Sequence, residues 1–140
     1  MRTPGSIARI KTLLVASLLI SGLAACTKTS NSNLTPEQRF SGRWKWVLTT
    51  GGFVGVHITP TDVKHDIFYT FNSNHTYKIE DGSTIKTGTW NVGVDSSTAG
   101  LKFDTIGMSG GQPFIYSFSN DSLFLNSYCC DNFNYTLKVQ

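Results

Sequence analysis

Gly42-Arg43-Trp44-Lys45-Trp46-Val47-Leu48 alternates without interruption, with Trp44, Trp46 and Leu48 on one side of an extended chain and Arg43, Lys45 and Val47 on the other. Successive side chains of a strand point to opposite faces, so the segment reads as a strand with one face turned to a core. The same beat recurs downstream. Ile67, Tyr69 and Phe71 share a face, as do Tyr77 with Ile79, then Gly88, Trp90, Val92 and Val94, then Leu101 with Phe103. Phe114, Tyr116 and Phe118, then Leu123 and Leu125, and finally Phe133, Tyr135, Leu137 and Val139 complete a set of eight expected strands. No stretch carries a convincing 3.6-residue apolar stripe.

The strands are separated by turn chemistry: Asn72-Ser73-Asn74, Asp81-Gly82-Ser83, Asp95-Ser96-Ser97, Gly110-Gly111-Gln112-Pro113 and Ser119-Asn120-Asp121. Short turns between successive strands imply hairpins and an antiparallel meander. Each strand must hide its apolar face, and the two edge strands must be hidden as well. Closure does both, so the expected fold is all-β, an eight-strand antiparallel meander barrel, with an open β-sandwich as the alternative.

Arg2, Arg9 and Lys11 precede a short apolar run, Thr12 to Ile20, and then the small or turn-prone residues Ser21 to Ala25, the order of a secretory leader. The run is shorter than the roughly 20 residues needed to span a bilayer. Removing residues 1–25 takes away three cations and leaves nine Lys and Arg against nine Asp and Glu, so the sequence pI of 8.8 overstates the charge of what remains. A neutral domain without basic clusters lacks the footprint of a nucleic-acid binder. The 115 residues left are enough for one modest core. Thr27 to Gln38, polar with a single aliphatic residue, reads as a tether.

Leu23-Ala24-Ala25-Cys26 resembles the lipobox of bacterial lipoproteins. That resemblance implies cleavage before Cys26, acylation of its thiol and amine, and a lasting membrane anchor through several chains. The expected organisation is a leader over 1–25, the acylated Cys26 and a flexible tether over 26–39, and a barrel over 40–140. Gly42-Arg43-Trp44 stands where lipocalins and fatty-acid-binding proteins carry Gly-x-Trp, and Gly88-Thr89-Trp90 repeats it. With the Gly51-Gly52 to Pro60 loop, the Phe71 to Tyr77 spacing, Thr87-Gly88-Thr89-Trp90 and the closing Asp121-Ser122-Leu123 strand pair, the chain from Phe40 to Gln140 is similar to small lipocalin-like lipoproteins of Bacteroidetes. It departs from lipocalins in offering only Lys138 where they place an Arg over the first-strand Trp, and in being shorter. The first acid after Cys26 is Glu37, a poor match to the acidic surface-export signal of that phylum, so the resemblance implies an outer-membrane position facing the periplasm.

The expected interior residues, candidates to line a ligand site, are Trp44, Trp46, Phe71, Tyr77, Trp90, Phe103, Tyr116 and Tyr135. In the long glycine-rich loop from Thr49 to Pro60, Phe53 and Val54 read either as a lid over a barrel mouth or as the tip of a mobile first loop. That loop lacks the Lys-Ser/Thr of a phosphate loop. His57, His65 and His75 are not at metal-ligand spacing, no Gly-x-Ser-x-Gly elbow is present, and the only glutamates are Glu37 and Glu80, so no enzyme activity, metal or cofactor is expected. Cys129 and Cys130 read as free thiols or as a strained vicinal disulfide. Asp104-Thr105-Ile106 and Asp121-Ser122-Leu123 resemble the acceptor of Bacteroidetes O-glycosylation, which would place sugars on Thr105 and Ser122. Two functions are expected to compete: a membrane-anchored domain binding a small apolar or amphipathic ligand, and a packed barrel without a cavity that serves as an interaction or assembly module of the cell envelope.

Overall fold

The computed structural model describes residues 33–127 and 133–140. Its strands are β1 (Gly42–Gly51), β2 (Val56–Ile58), β3 (Ile67–Phe71), β4 (Thr76–Asp81), β5 (Thr84–Ser96), β6 (Lys102–Met108), β7 (Phe114–Ser119), β8 (Ser122–Ser127) and β9 (Phe133–Val139), with two short helices, α1 (Pro36–Phe40) and α2 (Pro60–Val63). Strand β1 and strands β3 to β9 pair antiparallel in chain order, and β9 returns to β1. The meander is therefore a closed eight-strand barrel rather than a sandwich. Strand β2 is a three-residue appendage on the far end of β1.

Register carries one apolar layer around the barrel. Trp44 opposes Tyr69, Phe71 opposes Tyr77, Tyr77 opposes Gly88, and Trp90 opposes Met108. The layer continues through Ile106 opposite Phe114, Tyr116 opposite Leu125, and Leu123 opposite Leu137, which returns to Trp46. Trp44, Trp46, Phe71, Tyr77, Trp90, Ile106, Leu123, Leu125 and Leu137 are all buried in this core.

Four local expectations change. A bulge between Trp46 and Leu48 turns Leu48 off the inner face and puts Thr49 there instead, where its Oγ1 accepts from the Trp46 indole N–H at 2.9 Å. Strand β6 runs on to Met108, and its phase is set by Met108 opposite Trp90, so Ile106 faces inward. Phe103, three residues before Ile106, takes the opposite face from the core and is not one of its members. The polar stretch read as tether through Arg39 gives way at Pro36 to α1, and α2 follows Thr59, both within segments that carry no apolar stripe.

Helix α1 is too short to persist on propensity, and it is held by its ends. Thr35 Oγ1 accepts from the Gln38 N–H, Gln38 Oε1 accepts from the Thr35 N–H, and Pro36 opens the helix. Phe40 then enters the barrel end with no exposed surface and packs against Phe71, Trp90, Tyr116 and Phe118 at ring separations of 5.5, 5.6, 4.8 and 4.9 Å. The Trp44 indole N–H donates to the Phe40 carbonyl at 2.8 Å, and the Arg39 guanidinium lies 4.1 Å above the Phe118 ring. Among the described residues no cation lies over the Trp44 ring: Lys138, outward beside inward Leu137, pairs with Asp121.

Phe40→Ala should lower unfolding free energy by about 3–5 kcal/mol, the range for deleting a fully buried Phe. Urea unfolding followed by tryptophan fluorescence measures this, and a loss under 1 kcal/mol would mean that α1 is not an integral plug.

Candidate functional site

Strand β1 begins beside α1 and ends at Gly51, so the end of the barrel away from α1 is framed by Ile67 of β3, Asp81 of β4, Phe114 of β7 and Phe133 of β9. There the interior is not filled. A cavity of about 220 Å³ lies among Tyr69, Tyr77, Ile79, Met108, Phe114, Leu125 and Tyr135, with Lys86, Gln112 and Ser127 as its polar side chains.

Each wall has a local cause. Tyr69 and Ile79 sit opposite one another on the paired strands β3 and β4. The two-residue turn Gly82-Ser83, with Gly82 at φ +57°, joins β4 to β5 in the register that puts Lys86 opposite Ile79. Two residues on, Gly88 leaves space that a Cβ would fill, 2.1 Å from Ser109 Oγ and 2.8 Å from the Tyr77 ring. Ser109 uses that space. Its N–H donates to Thr89 O at 2.9 Å, its Oγ accepts from the Thr89 N–H at 3.0 Å, and its carbonyl accepts from the Tyr77 hydroxyl at 3.2 Å. The start of the β6–β7 loop is thereby clamped against β5, and it carries Gln112 to the cavity wall.

Tyr69 and Tyr135 differ from Tyr77. Their hydroxyls make no hydrogen bond among the described residues, and no buried side-chain polar atom is left without a partner, so both hydroxyls reach open space. Burial pushes the Tyr69 hydroxyl far above the ordinary phenol value, with Tyr135 and Asp81 adding to the effect, and burial also raises Tyr135. Both are neutral donors at neutral pH.

The rim is organised by polar pairs. The His65 imidazole meets Asp81, and Lys45 pairs with Asp66 at 2.8 Å. Asp62 accepts from the Thr59 N–H and hydroxyl at 2.8 and 2.7 Å, which hold its carboxyl below the usual range. These contacts pin the segment between β2 and β3. The loop tip before β2 is different: Phe53 is 98% exposed and Val54 81% exposed, and neither lines the cavity. The lid expected from Phe53 and Val54 is not seated over the mouth.

Of the eight expected interior aromatics, Trp44, Trp46, Phe71 and Trp90 are core, Tyr116 packs beside Phe40 at the plugged end, and only Tyr77 and Tyr135 reach the cavity. Phe103 lies on the outer phase, as above. Tyr69, Lys86, Met108 and Phe114 were not singled out, although the beat that fixes Gly88 and Trp90 also places Lys86 on the inner face. Thr105 is 7% exposed and tucked within β6, so the folded barrel does not offer its hydroxyl for glycosylation. Ser122 lies at the β7–β8 turn and donates to Asp121 at 3.1 Å. Cys26, Cys129 and Cys130 fall outside the described residues. Among the described residues no cluster of three His, Cys, Asp or Glu side chains forms, and no helix is long and apolar enough to cross a membrane.

Comparison with protein-family models, curated proteins and solved structures finds no match for this chain.

The His65 contact has a defined pH signature. The Asp81 carboxylate raises the His65 pKa, so the stabilisation is fully present below the unfolded value of about 6.5 and is lost as pH rises through the higher folded value. NMR titration of the His65 ring should give a midpoint above 6.5 that falls toward the ordinary value in Asp81→Asn. An unchanged midpoint in that variant would remove Asp81 as the cause.

Proposed function

We propose that this protein is a lipid-anchored, lipocalin-like barrel of the bacterial envelope that binds a small apolar or amphipathic molecule in the cavity at its open end. The observation that carries this reading is an interior space lined by Tyr69 and Tyr135, whose neutral hydroxyls make no hydrogen bond among the described residues. A barrel evolved only as a rigid module has no use for such a space, because every unfilled volume costs packing energy.

The volume fixes the size class. About 220 Å³ exceeds the roughly 150 Å³ that admits benzene, and it falls short of the roughly 300 Å³ where drug-sized sites begin. A single ring or a short branched chain fits; a full-length acyl chain does not. The Gly-x-Trp strand and the eight-strand meander support a lipocalin-like relationship for residues 40–140.

Anchorage rests on Leu23-Ala24-Ala25-Cys26, with leader residues 1–25 removed and acyl chains on Cys26 holding the protein to the outer membrane on its periplasmic side. The tether enters the barrel through α1, at the plugged end. The cavity mouth is at the other end, away from the point where the tether joins the barrel.

Toluene and indole titrated into the soluble domain should give saturable amide and side-chain NMR shifts centred on Tyr69, Ile79, Met108 and Phe114. Ile79→Trp, which fills the space, should abolish them while the far-ultraviolet circular dichroism stays unchanged. Absence of saturable shifts, or shifts confined to the outer surface, would favour the packed interaction module instead.

A further inference from the structure

We infer that the cavity selects a monoanionic ligand, a small apolar ring or branched chain bearing a carboxylate, with Lys86 as its charge partner and the Tyr69 and Tyr135 hydroxyls as hydrogen-bond donors. This rests on the ligand-binding reading above and assigns the chemistry of that site.

The position of Lys86 is the first ground. Its register opposite Ile79, in phase with Gly88 and Trp90, places a lysine on the inward-facing side of β5, between Gly88 and the polar pair Thr84 and Asp81 at the strand end. The residue lines the cavity and is solvent-exposed, the arrangement in which a lysine stem covers apolar surface and its ammonium stays hydrated. Second, Lys86 has no ion-pair or hydrogen-bond partner among the described residues. Four other cations on the barrel wall are engaged: Arg43 and Lys78 meet Glu80, Lys45 meets Asp66, and Lys138 meets Asp121, whereas Lys102 stands exposed at the start of β6, away from the cavity lining.

Carboxylates around the same rim are already taken. Asp81 is held by His65, Asp66 by Lys45 and Asp62 by Thr59. Lys86 is thus the one cation in the cavity lining, without an ion pair among the described residues, above a pocket where the Tyr69 and Tyr135 hydroxyls can donate. Tyr69 and Tyr135 sit deeper, on strands flanking β1, and a hydroxyl that stays neutral donates to an anion without repelling it. One ammonium balances one charge. A carboxylate matches that, whereas a phosphate monoester carries about −1.5 to −2 at neutral pH and would leave charge unbalanced in a mostly apolar site.

The test uses three probes with a common ring: 3-phenylpropionate, its neutral primary amide and phenyl phosphate, each titrated by NMR into the soluble domain. The carboxylate should bind about five- to tenfold tighter than the amide, the range of a partly solvated ion pair with added hydrogen bonds. In Lys86→Met, an exposed position with little risk to folding, that preference should vanish while the amide affinity stays the same. Tyr69→Phe should weaken the carboxylate further without altering the salt dependence that Lys86→Met removes. Equal binding of carboxylate and amide to the native protein would overturn charge selection and leave the cavity reading standing. Tighter binding of the phosphate would overturn the monoanion assignment. If no probe binds, both readings fail together.

Discussion

The bond from the Trp44 indole N–H to the Phe40 carbonyl, at 2.8 Å inside a closed end of the barrel, is the contact on which the interior depends. An eight-strand barrel has room for side chains or for one small ligand, and something must decide how that room is divided. Phe40 decides it here. Its ring is inserted among Phe71, Trp90, Tyr116 and Phe118, so one aromatic from each of β3 and β5 and two from β7 close around it at the α1 end. Edge-to-face packing of that cluster adds to the burial of each ring. At the opposite end the rings of Tyr69, Tyr77, Phe114 and Tyr135 stand as walls with Ile79, Met108 and Leu125 between them, no residue is inserted as Phe40 is, and a space remains.

The alternation of Trp44 with Trp46, and of Tyr116 with Phe118, made the strands and their antiparallel order legible, because period two is a direct consequence of strand geometry. Thr49 and Phe103 show where the beat misleads. A bulge after Trp46 changes the phase of β1 by one residue, and nothing in Val47-Leu48-Thr49 announces it; the reason, an indole N–H needing an acceptor, exists only in three dimensions. Leu101 and Phe103 alternate as inward residues would, but the phase of β6 is set further on, where Ile106 and Met108 oppose Val92 and Trp90, and Phe103 falls on the other face. Helix α1 had a signal, Thr35-Pro36-Glu37-Gln38, a capping box with Pro at the first position. It was masked by the polar composition on either side, since a five-residue helix has no stripe to display.

The site was half readable. Tyr77 and Tyr135 were expected inside, yet which inward aromatics fill the core and which border a space depends on the plug, and Phe40 cannot be weighed from a linear chain. Lys86 follows directly from the phase of Gly88 and Trp90, but a lysine on an apolar face is easily taken for an error of pattern. In the fold it becomes the one charged side chain that lines the cavity, with no ion-pair partner among the described residues. Gly88 acts through absence: its missing Cβ admits Ser109 and Tyr77, which fixes the β6–β7 loop beside the cavity.

The account stands on a barrel packed at the α1 end and open at the other, and the most direct test is a crystal of the soluble domain under xenon pressure. Xenon enters apolar cavities of this size, so its anomalous signal should appear among Tyr69, Ile79, Phe114 and Leu125, with none around Phe40 and Trp90. A barrel with no xenon site at the open end, or with one beside Phe40, would contradict the division of the interior that the whole account rests on.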